Sequence, residues 1–191
     1  SPGGAVHRIE YYKTGDPAVT IEPSGLRTEY TYDGLGRVIE ETVISDAYPN
    51  GLTTTYTYDK NGRILTVTAP AVVNRVTGAT HTSKTTMQYN ADGQLVLERI
   101  EDLTGGDAVR ETAVGYNALG QVEWAADAEG RRTYYTYNAR GQQVTQTPAD
   151  AQGNPVGPTI QQTFDGEGNL LTTVVKDYHG PGQDLLWESR D

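Results

Sequence analysis

Along the whole chain, aromatic or aliphatic positions alternate with Thr, Glu or Gln over short stretches, and each stretch ends in the same polar punctuation. In EYTYD, Tyr30 and Tyr32 share one face at period two, as do Tyr56 and Tyr58 in TTYTYD, which predicts half-buried β-strands. A second β-rich run follows each punctuation mark, for example Arg63 to Val67. No apolar pattern holds a helical period over the 10 to 12 residues expected of a helix. The run Leu95, Val96, Leu97, Glu98, Arg99, Ile100 is oily enough to tempt that reading, but it follows a turn signal and is read as a strand.

The punctuation is a repeat. It reads YDGLGRVI from Tyr32, YDKNGRIL from Tyr58, YNADGQLV from Tyr89, YNALGQVE from Tyr116, YNARGQQV from Tyr137 and FDGEGNLL from Phe164. The pattern is an aromatic, Asp or Asn, two free positions, Gly, a polar residue and usually an aliphatic. Successive aromatics are 26, 31, 27, 21 and 27 residues apart, so the interval is elastic while the eight-residue motif is rigid. Asp33, Asp59, Asn90, Asn117, Asn138 and Asp165 have short side chains that accept a backbone N–H two residues on and so open a type I turn. Three residues later, Gly36, Gly62, Gly93, Gly120, Gly141 and Gly168 stand where a three-residue hairpin loop needs positive φ. Hairpin turns are therefore expected at 32–38, 58–64, 89–95, 116–122, 137–143 and 164–170 within a single array over 1–191. Weaker return turns are expected around Gly25, Gly51, Gly130 and Gly153, and an extra loop near Asn74 to His81 fills the longest interval.

Composition narrows the architecture. Apolar residues make up 36% of the 191 and mean hydropathy is −0.58, too lean for a thick core, while 13 of 16 aromatics are Tyr. An all-β, open, curved, single-layer sheet of about a dozen strands is expected, wetted on at least one face. At roughly 4.8 Å per strand such a sheet is near 60 Å wide, too little to close around a folded cargo. Its end strands leave unpaired edges, which predicts self-association. Net charge is −10, from 25 acids against 15 Lys and Arg, which disfavours nucleic acid and anionic lipid as partners. There is no Cys, so disulfides and thiolate metal sites are excluded, and no stretch approaches 18 apolar residues. The opening Ser1, Pro2, Gly3, Gly4 has no basic or apolar region of a signal peptide and reads as the start of an internal fragment.

The six motifs resemble the YD repeats of the Rhs (rearrangement hot spot) family, shared with the BC component of insecticidal toxin complexes and with teneurins. The resemblance covers roughly Ser24 to Val175. It implies a β-sheet spiralling into a hollow shell, which in bacterial Rhs proteins encloses a C-terminal toxin for secretion and in teneurins serves adhesion. The segment that ends bacterial shells and releases the toxin, with its DPxGL-like motif, is not matched: Asp16 and Pro17 are followed by Ala18 and Val19. Self-cleavage and toxicity are therefore not expected of this chain, and the lack of Cys points away from the teneurins.

Chemistry is sparse. His7, His81 and His179 lie far apart without Cys or HExxH and are read as solvated loop histidines. Asp165, Glu167 and Asn169 alternate like the start of a calcium loop, but the bidentate Glu of that motif is not at its place, so the sixth turn is the better reading. Gly34 with Gly36, and Gly166 with Gly168, precede no helix and serve as turn glycines. No GxSxG occurs, and no catalytic residue, cofactor or metal ligand is assigned. The candidate residues are structural: Tyr32, Asp33, Gly36, Tyr58, Asp59, Gly62, Tyr89, Asn90, Gly93, Tyr116, Asn117, Gly120, Tyr137, Asn138, Gly141, Phe164, Asp165 and Gly168. The expected partners are flanking YD repeats of the parent protein and an enclosed toxin domain. The competing reading is a carbohydrate- or cell-surface-binding adhesion module that uses exposed Tyr such as Tyr56 or Tyr135.

Overall fold

The computed structural model describes residues 7–177 and 185–188. Every regular element in it is a strand. One open antiparallel sheet contains fifteen strands that neighbour one another in chain order: β1 (Arg8–Tyr11), β2 (Pro17–Ile21), β3 (Arg27–Tyr32), β4 (Val38–Ser45), β5 (Tyr48–Tyr58), β6 (Ile64–Thr68), β9 (Ser83–Tyr89), β10 (Leu95–Asp102), β11 (Arg110–Tyr116), β12 (Val122–Ala126), β13 (Arg132–Tyr137), β14 (Gln143–Ala149), β15 (Thr159–Phe164), β16 (Leu170–Asp177) and β17 (Leu185–Glu188). The extra loop forms a separate ribbon of β7 (Val72–Val73) and β8 (Thr80–His81), closed by a turn in which Gly78 N donates to Asn74 O at 2.7 Å. The chain divides into two compact units, residues 1–88 with 99–109, and residues 89–98 with 110–191.

Within each unit the hairpins share one construction. In β3–β4, Asp33 N donates to Arg37 O at 2.9 Å and Gly36 N donates to Asp33 O at 3.0 Å, a type I turn completed by a glycine at φ 75°. The register accordingly slips by one residue, with Thr31 facing Glu40 but Tyr32 facing Val38. The same slip separates Thr57 from Tyr58, Gly115 from Tyr116, Thr136 from Tyr137 and Thr163 from Phe164. Gly62, Gly93, Gly120, Gly141 and Gly168 also lie at positive φ, between 77° and 96°.

The strand total exceeds a dozen for a reason the motif search does not reveal. β1 and β2 form another hairpin of the same geometry: Tyr12 N donates to Asp16 O, Gly15 N donates to Tyr12 O, and Tyr11 faces Pro17 across a register slip. Tyr12 stands where the other copies carry Asp or Asn, and Asp16 where they carry Arg, Gln or Asn. With β17 beyond the sixth motif hairpin, seven hairpins give fifteen strands. Return turns at Glu22–Leu26, Asp127–Arg131 and Asp150–Asn154 repeat the same backbone hydrogen bonds. Gly51 differs from expectation. The chain reverses instead between Ser45 and Tyr48, and Gly51 lies inside β5, where Pro49, Asn50 and Gly51 stand against Ile44 as a bulge.

Burial is correspondingly thin. Among the described residues only Val19, Ala149 and Thr28 are buried, while Leu35, Leu119 and Val76 are more than three-quarters exposed. Opposite Thr pairs add hydrogen bonds across the strands, at 2.7 Å for Thr57–Thr66 and 2.6 Å for Thr136–Thr145. Gly115 replaces Thr at the equivalent place because the Trp124 indole lies over it, leaving no room for a Cβ. Trp124 is covered in turn by the Arg132 guanidinium, 4.6 Å from the ring.

The turns respond differently to a side chain. A Cβ at Gly62 meets open space, so Gly62→Val carries only the cost of positive φ for a β-branched residue, over about 1 kcal/mol. At Gly51 a Cβ would also come within 2.5 Å of Thr42 Cγ2. Thermal melts should rank Gly51→Ala below Gly62→Ala in stability, with Gly62→Val clearly destabilised and Lys60→Ala close to the parent.

Candidate functional site

The functional geometry of this chain is a row of turns and the seams between hairpins. Each motif Asp or Asn gathers its own turn. Asp33 Oδ1 accepts from Leu35 N at 2.9 Å and Arg37 N at 3.0 Å, while Oδ2 accepts from Arg37 Nε at 2.7 Å. Asp59 does the same with Asn61 N and with Arg63 through its backbone and Nε. Asp165 holds Glu167 N, Asn169 N and Asn169 Nδ2, so its oxygens serve the sixth turn.

The polar residue after Gly, left open by the sequence pattern, is matched to the residue that opens the turn. Where the opener is Asp, which only accepts, its partner donates: Arg37, Arg63 and Asn169, and in the return turns Arg131 and Asn154. Where it is Asn, whose Nδ2 donates, the partner is Gln, whose Oε1 accepts at 2.9 Å in each of Asn90–Gln94, Asn117–Gln121 and Asn138–Gln142. This orientation leaves the Gln Nε2 facing the next turn. Gln94 donates to Gly120 O at 2.9 Å and Gln142 donates to Gly168 O at 2.8 Å. Arg37 plays that part with a guanidinium, donating to Asp59 O at 2.9 Å and lying 4.7 Å from the Tyr58 ring centroid.

The motif tyrosines close the seams from the strand side. Tyr58 donates to Val38 O at 2.6 Å, Tyr116 to Leu95 O at 3.0 Å and Tyr137 to Val122 O at 2.8 Å. Each acceptor lies two residues beyond the preceding motif glycine. Tyr32 donates to Pro17 O at 2.9 Å, the same relation to Gly15 of the first hairpin. Phe164 has no hydroxyl and cannot make this bond. Tyr56 is half-buried and donates to Glu41 Oε2 at 3.2 Å; burial, then Glu41, raises its pKa. Tyr135 lines an open hollow of about 410 Å³ with Tyr116 and Tyr137.

Hydrogen bonds hold the turn carboxyls below the usual Asp range. Arg37 is the main cause at Asp33; at Asp59 burial pushes upward but the Arg63 and Asn61 hydrogen bonds prevail. Asp127, Asp150 and Asp165 are lowered chiefly by Arg131, Asn154 and Asn169. The stability they contribute is present above about pH 4 and is lost as pH falls through their folded-state values.

His81 requires a correction. It is half-buried at the end of β8, and its Nδ1 lies 2.8 Å from Asp102 Oδ2 and 3.8 Å from Asp107 Oδ2. The Asp102 side chain is 5% exposed and also accepts from Thr104 Oγ1, Thr104 N, Thr82 N and Gly106 N. His81, Asp102 and Asp107 could offer three ligand atoms within 4.8 Å of one another. Asp102, however, is already saturated with protein donors, so the arrangement fits a His–Asp latch that fastens the inserted ribbon to the β10 turn. His7 remains a loop histidine, exposed and 3.3 Å from Glu22, and His179 lies outside the described residues.

A family model described as Teneurin YD-shell matches residues 12–173. The chain belongs to that family, which is a structural shell domain. The missing Cys, read as pointing away from teneurins, does not separate the chain from a family that bears their name. Among solved structures it is similar to TcdB2-TccC3 without hypervariable C-terminal region, at 12% identity and TM-score 0.42, covering 88% of this chain and 11% of that one. It is also similar to TcdB2-TccC3, at 13% identity and TM-score 0.37, covering 95% of this chain and 12% of that one. The chain thus spans about a tenth of those chains. No curated protein matches it.

Two outcomes follow from this chemistry. Gln94→Glu replaces the donor to Gly120 O by a carboxylate and should lower stability by about 1 kcal/mol at pH 7, less at pH 3 where the protonated acid can donate. Denaturant melts at the two pH values check it. The His81 imidazolium is favoured first by its hydrogen bond to Asp102, so its pKa is raised. The latch is therefore fully formed below about pH 6.5 and weakens as pH rises through the folded-state value. An NMR titration should place His81 above the ordinary imidazole value, and Asp102→Asn should bring it back toward that value.

Proposed function

We propose that this chain forms part of the wall of a hollow shell that encloses a C-terminal toxin, in a bacterial protein that is secreted or exported to deliver it. The observation that carries the reading is the family match over 12–173, joined to a seam chemistry repeated from hairpin to hairpin. In this reading the eighteen motif residues from Tyr32 to Gly168 are a structural repeat and not a binding or catalytic set, and 1–191 acts as one array. Each hairpin interacts with its neighbours alone, as in other quasi-one-dimensional repeat proteins.

Flanking repeats of the parent protein supply the rest of the wall. A ring of so few strands, at roughly 4.8 Å each, would be too narrow between backbones to hold a folded cargo. A folded 100-residue domain, with a radius of gyration near 13 Å, does not fit inside. An acidic surface, at net charge −10, favours protein over nucleic acid as the enclosed partner.

The adhesion reading loses ground because Tyr32, Tyr58, Tyr116 and Tyr137 direct their hydroxyls to backbone carbonyls. It keeps one foothold, the hollow beside Tyr135. A glycan array with the parent chain and Tyr135→Ala separates the two, since the shell reading expects no binding that this substitution removes.

Limited proteolysis of the full-length parent protein tests enclosure. The segment following the shell should survive while the shell is intact and be digested once mild denaturant opens it. Digestion of that segment at the rate of the free domain would overturn the proposal. For the isolated chain, light scattering over a concentration series should show dimers or larger species through the sheet edges.

A further inference from the structure

Between the β3–β4 and β5–β6 hairpins, the Arg37 guanidinium fills a seat with three walls. The Tyr58 ring lies 4.7 Å below it, Asp59 O accepts from it at 2.9 Å, and the Asp33 carboxylate pairs with it at 2.6 Å. The equivalent seat one hairpin earlier is built from Tyr32 and Asp33 O. The residue placed to fill it is Asp16, a carboxylate with no proton to donate. Asp33 O accepts from Gly36 N at 3.0 Å, just as Asp59 O accepts from Gly62 N at 3.1 Å while also receiving Arg37. A carbonyl has two lone pairs, so the second acceptance is open to a donor from elsewhere.

A cavity of about 690 Å³ occupies this place, lined by Tyr12, Lys13, Asp16, Tyr32, Asp33 and Gly36 among others. Tyr12 and Tyr32 meet edge to face with centroids 6.1 Å apart, giving two aromatic walls at a right angle. Asp16 lies close enough to Tyr32 to help raise its pKa, after the larger effect of burial. We propose that this cavity binds the guanidinium of an arginine side chain presented by a partner polypeptide, which supplies in trans the group that Arg37 supplies in cis. Asp16 then takes the part that Asp33 plays for Arg37. The local charges of Asp16 and Lys13 offset each other, so selection rests on the planar fork stacking against an aromatic wall while donating to a carboxylate and a carbonyl. A lysine ammonium can do only part of this. The site stands independently of whether the shell encloses a toxin.

The test titrates N-acetyl-arginine amide, and separately its lysine analogue, onto the isotope-labelled chain and follows backbone amides by NMR. Saturable shifts are expected at residues 13–16 and 32–36, with the arginine compound about fivefold or more tighter than the lysine compound. Asp16→Arg places a guanidinium in the seat from within, and should abolish the shifts while raising the melting temperature. Asp16→Asn, a milder change, should weaken binding severalfold and decides the matter if Asp16→Arg does not fold. Absence of shifts at these residues, equal binding of the lysine compound, or undiminished binding by either folded variant would overturn the proposal.

Discussion

A sheet with almost no fully buried side chain takes its specificity from hydrogen bonds. Among the described residues three are buried and most strand positions are only half-buried, so apolar contact is spread along the sheet and does not by itself single out one seam or register. What remains is directional: the ladder between strands, the carboxyl or amide that gathers each turn, and the tyrosine hydroxyl that reaches the preceding hairpin. A hydrogen bond of this kind contributes about 1 kcal/mol, but leaving its partner unsatisfied costs more. The motif is therefore rigid over eight residues although the intervals between copies are not. Loop length is nearly free to vary; the donor and acceptor positions at a seam are not.

Much of this was legible because turns are local. Type I turns opened by Asp or Asn, and a glycine at positive φ three residues on, depend on neighbours in sequence, and period-two alternation marks the strands on either side. The extra segment near Asn74 to His81 was visible as added length, though not as a ribbon. Three things were hidden. Tyr12 and Asp16 disguise the first hairpin, since its backbone makes the same turn without either side chain that marks the others. Gly51, in PNG, has the chemistry of a turn, but the two-residue reversal at Asp46–Ala47 comes first and leaves it as a bulge in β5. His81 and Asp102 are 21 residues apart and meet because β9 and β10 lie between them, a relation that no local pattern carries.

The pairing of Asp with Arg or Asn, and of Asn with Gln, is present in the sequence, but a polar position after Gly does not by itself show which of its atoms donates and which accepts. Read as donors and acceptors, the copies follow one rule: the opener's free valence is answered within its own turn, and at Arg37, Gln94 and Gln142 the donor left over reaches the next turn. Such a rule propagates contact from one hairpin to the next without a core, which suits a wall whose two faces need not be covered. At Asp16 the donor is missing, and the place it would fill is a cavity lined by Tyr12, Asp16, Tyr32 and Asp33.

The claim that seams, and not a core, hold neighbouring hairpins together is tested most directly by native-state hydrogen exchange on Tyr58→Phe. The change deletes one hydroxyl, leaves the ring and the turn in place, and removes the 2.6 Å bond to Val38 O. Exchange of the β4 and β5 amides facing that seam should quicken by about tenfold, the equivalent of roughly 1.4 kcal/mol, while the β13–β14 hairpin is unchanged. Unaltered exchange at β4 and β5, or an equal acceleration throughout the sheet, would contradict the account.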